Sequence, residues 1–270
     1  MSSSTFKPFL VKLHWLMASQ FGLDPLRFAR SMRGLAAFVG DWVRFRKAYA
    51  GKMSFMPCLH DRYEEGGTTK SEYFWQDLLV ARWIFEARPQ RHVDIGSRVD
   101  GFVAHVASYR EIEVFDVRPI STHIPGVVFR QADLMDPGSS LPMDGYCDSV
   151  SCLHAVEHFG LGRYGDPIDS RGYERGIANM ARLLTSGGRF YLSTPIGVER
   201  VEFNANRIFD PRTIIDCAGS NGLQLEQLTV IGDGESVRQL DAGDRALREL
   251  ASSRYNLGIF VFKKSSAEGP

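Results

Sequence analysis

Three carboxylates stand where apolar runs end. Asp94 falls in the run Arg91–Ile95, Asp116 near the end of Ile112–Val117, and Asp133 just after Val127–Ala132. Asp116 lies 22 residues beyond Asp94. An acid about 20 residues past a Gly-containing turn is placed to grip the ribose hydroxyls of a nucleotide-bearing cofactor. Gly96 lets a backbone approach a ligand with no Cβ in the way. One such acid alone is as readily a solvated turn residue; three at consecutive run ends point to a nucleoside site. A second group carries proton chemistry: His154, Glu157 and His158 follow the run Ser149–Leu153. An imidazole suits removal of a hydroxyl proton near neutral pH, and Glu157 or Asp166 is available to orient it. Spacing leaves open which histidine acts. His158, one turn beyond the strand end, is placed to face an acceptor, and His154 to touch a cofactor. The plainer reading of Glu157 and His158 is a pair that caps a turn and packs on a sheet. His154–His158 also reads H-x-x-E-H, an inverted zinc-peptidase pattern that needs a helix. It comes straight off an apolar run and is followed by Gly160 and Gly162, so the expected number of metal ions is none.

Polar segments near these run ends are expected to recognise an acceptor. Phe159–Ser170 holds three glycines and a proline among Arg163, Tyr164, Asp166 and Asp169. Such a loop is read as a lid and recognition element. Residues 57–67 add His60, Asp61 and Arg62, and residues 201–211 add Asn204, Asn206 and Arg207. As an acceptor set these give Arg62, Arg163, Tyr164, Asp166 and Asn206, with ordinary surface loops as the plainer alternative.

The elements that must hold these residues alternate between strand-like and helical. From His92, β-type runs at 91–95, 112–117, 127–132, 149–153 and 189–193 are separated by helical stretches at 101–109, 170–184 and 211–218. That alternation predicts a parallel sheet covered on both faces. In such sheets ligands bind at the carboxyl ends of the strands. Gly187 is read as the stop of the second helix, and Asp210-Pro211 as the start of the third. Two further runs, 223–231 and 255–263, close the chain. Ahead of the sheet, Tyr73–Ala87 reads as a helix and 51–72 as an irregular connection. Asp24-Pro25 opens a helix with apolar residues at Phe28, Met32, Leu35, Val39 and Trp42, and Phe6–Ser19 reads as a shorter one.

Composition narrows the class. The 270 residues, 44% hydrophobic and 24% charged, suit a folded chain of one large or two small domains. The 32 Lys and Arg balance 32 Asp and Glu, so no general nucleic-acid partner is indicated. Residues 1–52 nevertheless carry nine basic groups against two acidic ones. Four cysteines without a C-x-x-C pair read as reduced thiols of a cytosolic protein. Phe6–Met17 is too short and too polar to span a membrane and lacks a following cleavage site. The expected organisation is a basic helical extension and connection over 1–72 and a catalytic domain over 73–270. The extension reads as a helical cap, as an interfacial anchor giving peripheral contact with anionic lipid, or as a self-association surface.

The residues from about 92 to 263 resemble a class I S-adenosylmethionine-dependent methyltransferase. VDIGSRVDG (93–101) sits at that family's glycine loop, with Arg98 and Asp100 where its second and third glycines fall. EVFDV (113–117) resembles its ribose-binding motif, RQADLMD (130–136) its adenine-binding motif, and CDSVSCLHAVEHF (147–159) its fourth strand and following turn. ARLLTSGGRFYLSTP (181–195) is similar to its helix, Gly-Gly turn and fifth strand. The implied fold is α/β, a Rossmann-like and mostly parallel sheet with a terminal antiparallel hairpin. The implied cofactor is S-adenosyl-L-methionine. It would be held by Asp94, Gly96, Ser97, Arg98, Asp116, Val117, Ala132, Asp133, Leu134 and Leu153. GSRVDGFVAH and VEHFGLGRYGDP also resemble an uncharacterised bacterial family found beside polysaccharide biosynthesis genes. That likeness implies O-methylation of a polar hydroxyl, as on a sugar of a surface glycan. Three other readings stand beside it: a methyltransferase-like binding or regulatory protein, an NAD-binding Rossmann enzyme, and a zinc hydrolase. The first glycine after Gly96 is Gly101, which departs from the dinucleotide G-x-G-x-x-G.

Overall fold

The structure is a computed structural model that describes residues 13–14, 16–64, 69–136, 144–232 and 236–266. The chain divides into two compact units at Thr68/Thr69. Most of the predicted opening helix, Phe6–Ser19, lies outside the described residues, although residues 16–21 are helical. The first unit contains α1, Pro25–Ala48, where the Asp24 carboxylate accepts from the Leu26 and Arg27 amides at 2.9 and 3.0 Å. That side-chain cap and Pro25 in the first turn fix the helix start.

The second unit opens with α2, Glu72–Ala87, capped by Ser71. An eight-stranded sheet follows. Its parallel half comprises β1 His92–Ile95, β2 Ile112–Asp116, β3 Val127–Gln131, β4 Cys147–Leu153 and β5 Leu184–Ile196. The 3-residue strands β6, Arg200–Glu202, and β7, Asn206–Ile208, form a separate hairpin. The sheet resumes with β8 Leu223–Ile231, β9 Val237–Leu240 and β10 Asn256–Lys264. Strand order is β3-β2-β1-β4-β5-β10-β8-β9. β10 runs antiparallel to both β5 and β8, which is the predicted closing pair of strands. Order reverses direction between β1 and β4, and that switch point is where an open α/β sheet forms its ligand crevice.

Helices cover both faces because strand side chains alternate between them. Ile112 and Val114 of β2, and Leu257, Ile259 and Val261 of β10, pack with α2 and α3 (Ala104–Ala107). Phe115, Phe260 and Phe262 face the opposite layer. That layer is built by α4 Gly172–Leu183, α5 Pro211–Gly219 and α6 Asp244–Ser252.

Two expectations need correction. The helix read over 101–109 is interrupted: 99–103 form a wide π-type turn with Gly101 at φ −128°, ψ −105°, and regular α-helix covers only α3. The cause is packing, since a Cβ on Gly101 would sit 2.4 Å from the Asp77 carboxylate of α2. Gly187 is not the stop of α4, which ends at Leu183 in an extended residue. Pairing of β4 with β5 instead jumps from Cys147–Leu184 to Ser149–Arg189, and Gly187 takes φ +77° inside the extra residues.

The β6–β7 hairpin, α6 and β9 carried no signal in the sequence. The hairpin has a structural task. Arg207 of β7 is only 5% exposed and meets no carboxylate among the described residues. Its Nη1 donates to the Phe159 and Glu157 carbonyls at 2.6 and 3.3 Å, and its Nη2 to those of Asp169 and Ser170, both at 3.3 Å. One guanidinium thus ties down both ends of the 159–170 loop. Arg207→Met strands these carbonyls, and stability should fall by about 2–4 kcal/mol. Denaturant unfolding measures this; a loss below about 1 kcal/mol would show that water replaces the guanidinium.

Candidate active site

The carboxyl ends of β1, β2 and β4 and the residues after β3 enclose a cleft of about 520 Å³. Gly96, Asp116, Val117, Ala132, Asp133 and Leu134 line it, so six of the residues expected to hold a cofactor meet on one surface. Gly96 has φ +69°, a conformation that glycine adopts freely, and a Cβ there would press on Ala155 at 3.2 Å. Ile95, Phe115, Met135 and Ala155 add apolar surface to the lining. A strand-end carboxylate beside a flat apolar slot fits a nucleoside: hydroxyls to the acid, base to the apolar wall.

The remaining expected cofactor residues sit differently. Asp94 is fully buried beneath the loop and accepts from the Ser97 amide at 3.0 Å, the Ser97 hydroxyl at 2.6 Å and the Ser151 hydroxyl at 2.5 Å. Burial pushes its pKa up to about 7 against these hydrogen bonds. Ser97 also accepts from the Leu153 amide at 3.1 Å. Asp94, Ser97 and Leu153 therefore brace the loop and do not line the cleft. Arg98 pairs with Asp100 at 2.7 Å, and neither side chain is among the residues lining the cleft.

Asp116 has a partner that the sequence reading did not assign. Arg118 donates to both carboxylate oxygens, at 2.7 and 3.0 Å, and its amide donates to one of them at 2.8 Å. The Arg118 guanidinium also lies over the Tyr164 ring, 4.4 Å from its centre. The short spacing Asp116-Val117-Arg118 was the available signal.

A second chamber of about 990 Å³ adjoins the cleft and shares Gly96, Arg118, His154, His158 and Tyr164 with it. Arg98, Glu157, Arg163 and Asn206 line this chamber, together with Glu72, Tyr73 and Tyr255. His154 sits at its floor with φ +54°, which is uncommon for a residue with a side chain. Its Nδ1 is 2.6 Å from Glu157 and its Nε2 3.1 Å from Glu72, while Tyr73 stacks on the ring at 4.5 Å. Tyr255 donates to the same Glu72 oxygen at 2.6 Å. Glu72 and Tyr255 lie 82 and 183 residues from their partners, and no spacing rule reaches that far.

These surroundings separate the two histidines. Burial works to lower the His154 pKa, but the charges and hydrogen bonds of Glu157 and Glu72 raise it to about 9. His154 is an imidazolium at neutral pH. With both nitrogens engaged by carboxylates, the protonated ring has no lone pair to offer an acceptor. His158 moves the other way: burial lowers its pKa, the Arg163 guanidinium adds to that, and Glu157 opposes both. His158 is neutral near pH 7 and retains a lone pair. Arg163 Nη1 donates to its Nδ1 at 3.4 Å, and Glu157 lies 3.8 Å from its Nε2. Residues 156–158 form one 3₁₀ turn, not the α-helix that would align the two rings for zinc.

Asp166 is spent on the loop itself. It accepts from the Gly160, Gly162 and Tyr164 amides at 2.9, 3.2 and 3.1 Å. With Arg207 at its ends, the 159–170 loop is laced down along its length. Arg62 belongs to the first unit, where it pairs with Asp41.

Comparison with known proteins adds the fold. Residues 143–217 match a family model described as a Caenorhabditis protein of unknown function, DUF268. No curated protein matches the sequence. Among solved structures, the 1,6-didemethyltoxoflavin-N1-methyltransferase of Burkholderia thailandensis covers 90% of this chain and 92% of its own, at 12% identity and TM-score 0.50. The fold is that of the Rossmann-like methyltransferases. An amino pentose methyltransferase from Micromonospora echinaspora covers 80% of this chain and 100% of its own, at 15% identity and TM-score 0.48.

The clamp that Glu157 and Glu72 form on His154 has a pH signature. The folded protein holds the His154 proton more tightly than an unfolded chain, whose imidazole titrates near 6.5. This contribution to stability is whole below about pH 6.5 and is lost as pH rises through about 9. The lowered pKa values of Glu157 and Glu72 contribute above their ordinary 4.5, and that part is lost on acidification. NMR of the ring carbons should find His154 titrating near 9 and His158 below 6.5. A His154 midpoint under 7 would mean the clamp does not form.

Proposed function

We propose that this protein is an S-adenosylmethionine-dependent O-methyltransferase, with a polar hydroxyl as acceptor. The observation that carries the reading is the junction of the two cavities. A nucleoside-shaped cleft bearing Asp116 opens, at His154 and His158, into a polar chamber that holds an uncharged imidazole. The methyltransferase fold and the five motifs in order support it.

In this reading Asp116 accepts the ribose hydroxyls, Asp133 and Leu134 meet the adenine, and Phe115 and Ala132 supply its apolar wall. The cofactor, when bound, supplies an electrophilic methyl carbon whose bond to sulfur breaks as a bond to the acceptor oxygen forms. His158 takes the proton that the hydroxyl loses, so the oxygen attacks as a developing alkoxide and the ether forms without a cationic oxygen. Glu157 lies 3.8 Å from His158 Nε2, beyond hydrogen-bond reach, and Arg163 lies near Nδ1. His154 keeps the Glu157 carboxylate in place and offsets its charge. Alignment of oxygen, carbon and sulfur supplies much of the remaining rate. A sugar of a surface glycan suits the chamber, because Tyr73, Tyr164, Tyr255 and Asn206 offer both ring faces and hydrogen bonds.

The cofactor assignment is tested by calorimetry with S-adenosylhomocysteine and with NAD. Asp116→Ala should weaken S-adenosylhomocysteine by about 10–100-fold, the worth of hydrogen bonds to a charged group. NAD binding without S-adenosylhomocysteine binding sinks the reading. With the acceptor found by a labelled-methyl screen over hydroxylated sugars, His158→Ala should lower kcat about 10²–10⁴-fold and spare cofactor affinity. A nearly normal kcat would exclude His158 as the base.

For the first unit we propose peripheral contact with anionic lipid. Phe28, Met32, Leu35 and Val39 recur on one side of α1 and are all exposed, with Arg27, Arg30, Arg44, Arg46 and Lys47 on the same helix. No helix among the described residues is long and apolar enough to cross a membrane. Co-sedimentation with phosphatidylserine vesicles should exceed that with neutral vesicles and fall as salt rises. Equal recovery with both would refute the contact.

A further inference from the structure

The acceptor chamber has a charge pattern that the methyl-transfer reading does not require. Three guanidiniums, from Arg98, Arg118 and Arg163, border it. The only carboxylates among the chamber's lining residues are Glu72 and Glu157, and both are committed to His154. Two of the guanidiniums have carboxylates of their own, so the charges around the chamber nearly balance, and neither lining carboxylate is left free for an ammonium group.

The three arginines are not equivalent. Arg98 is held by Asp100 and Arg118 by Asp116. Arg163 has no carboxylate within ion-pair distance among the described residues. Its Nη1 donates to the Ala205 carbonyl at 2.8 Å and to His158 Nδ1 at 3.4 Å. Its Nε and Nη2 form no hydrogen bond with a described residue, and the guanidinium lies 5.3 Å from the centre of the Tyr164 ring. An arginine with its fork open beside the base is a bidentate seat for an oxyanion.

Resting on the methyl-transfer reading, we propose that the acceptor is an anion whose carboxylate or phosphate docks on Arg163 while a neighbouring hydroxyl of the same molecule meets His158. Uronic acids and sugar phosphates have this chemistry. A neutral sugar forms no ion pair there, and an amino sugar brings an ammonium beside an unpaired guanidinium. The site thus selects through the charge of one side chain placed next to the base.

The test uses the full chain saturated with S-adenosylhomocysteine at pH 7.5. D-glucuronate, D-glucose 6-phosphate, D-glucose and D-glucosamine are titrated by ligand-observed NMR. At least one of the two anions should bind about tenfold more tightly than glucose, and glucosamine should bind no better than glucose. Whichever anion binds identifies carboxylate or phosphate as the docking group. Arg163→Gln should remove that preference and leave S-adenosylhomocysteine affinity unchanged, while Arg163→Lys should restore part of it. In wild type and not in Arg163→Gln, the anion should also shift the His158 ring resonances. Equal affinity for glucose and both anions, no binding by either anion, or an anion preference that survives in Arg163→Gln overturns the proposal. Failure of S-adenosylhomocysteine to bind would instead count against the methyltransferase reading, so the two failures are distinct.

Discussion

The candidate site is organised around one buried cation. His154 is an imidazolium held between Glu157, from the turn after β4, and Glu72, from the first turn of α2. Glu157 lies fully buried, where an isolated carboxylate reverts to its neutral form, and His154 offsets its charge; Glu72 is partly exposed and closes the clamp from the other side. The clamp therefore fixes where α2 begins relative to the sheet, and where the turn bearing His158 lies. It also explains why His154 holds a left-handed backbone conformation: two ion pairs, a stacked Tyr73 and an amide bonded to the Ser193 carbonyl outweigh the local cost.

The clamp also divides labour between two histidines of similar burial. Both lie beside Glu157, yet His154 is saturated with acceptors and His158 has a guanidinium for a neighbour. One becomes a fixed positive charge and the other a free base. Environment alone separates the two pKa values, as in other sites where paired titratable groups take opposite roles.

The sheet was legible because its signals are local. Alternating and continuous apolar runs located the strands from β1 to β5, and β8 and β10, and Asp116 announced itself by its distance from Asp94. The site was legible only in part. The acids lining the cleft could be read from run ends, but Asp94 turned out to brace Ser97 and Ser151, because burial and hydrogen bonding are not written in spacing. His158 could be favoured over His154 by position, whereas the charge of His154 depends on Glu72 and Tyr255, which only folding brings near. Arg207 was noticed as a polar residue of a loop; its grip on four carbonyls required the hairpin to exist. The helix break at Gly101 depended on Asp77, a neighbour from another helix.

Arg118 gives the cleft a property of its own. Its guanidinium occupies both oxygens of Asp116, the acid that is available for ribose, and at the same time leans on Tyr164. A carboxylate has about four acceptor sites, and Arg118 takes three of those on Asp116. A ligand reaching Asp116 shares it with a donor already in place. Because Tyr164, on which that donor leans, belongs to a loop tied down by Asp166 and Arg207, the carboxylate is oriented before any ligand arrives.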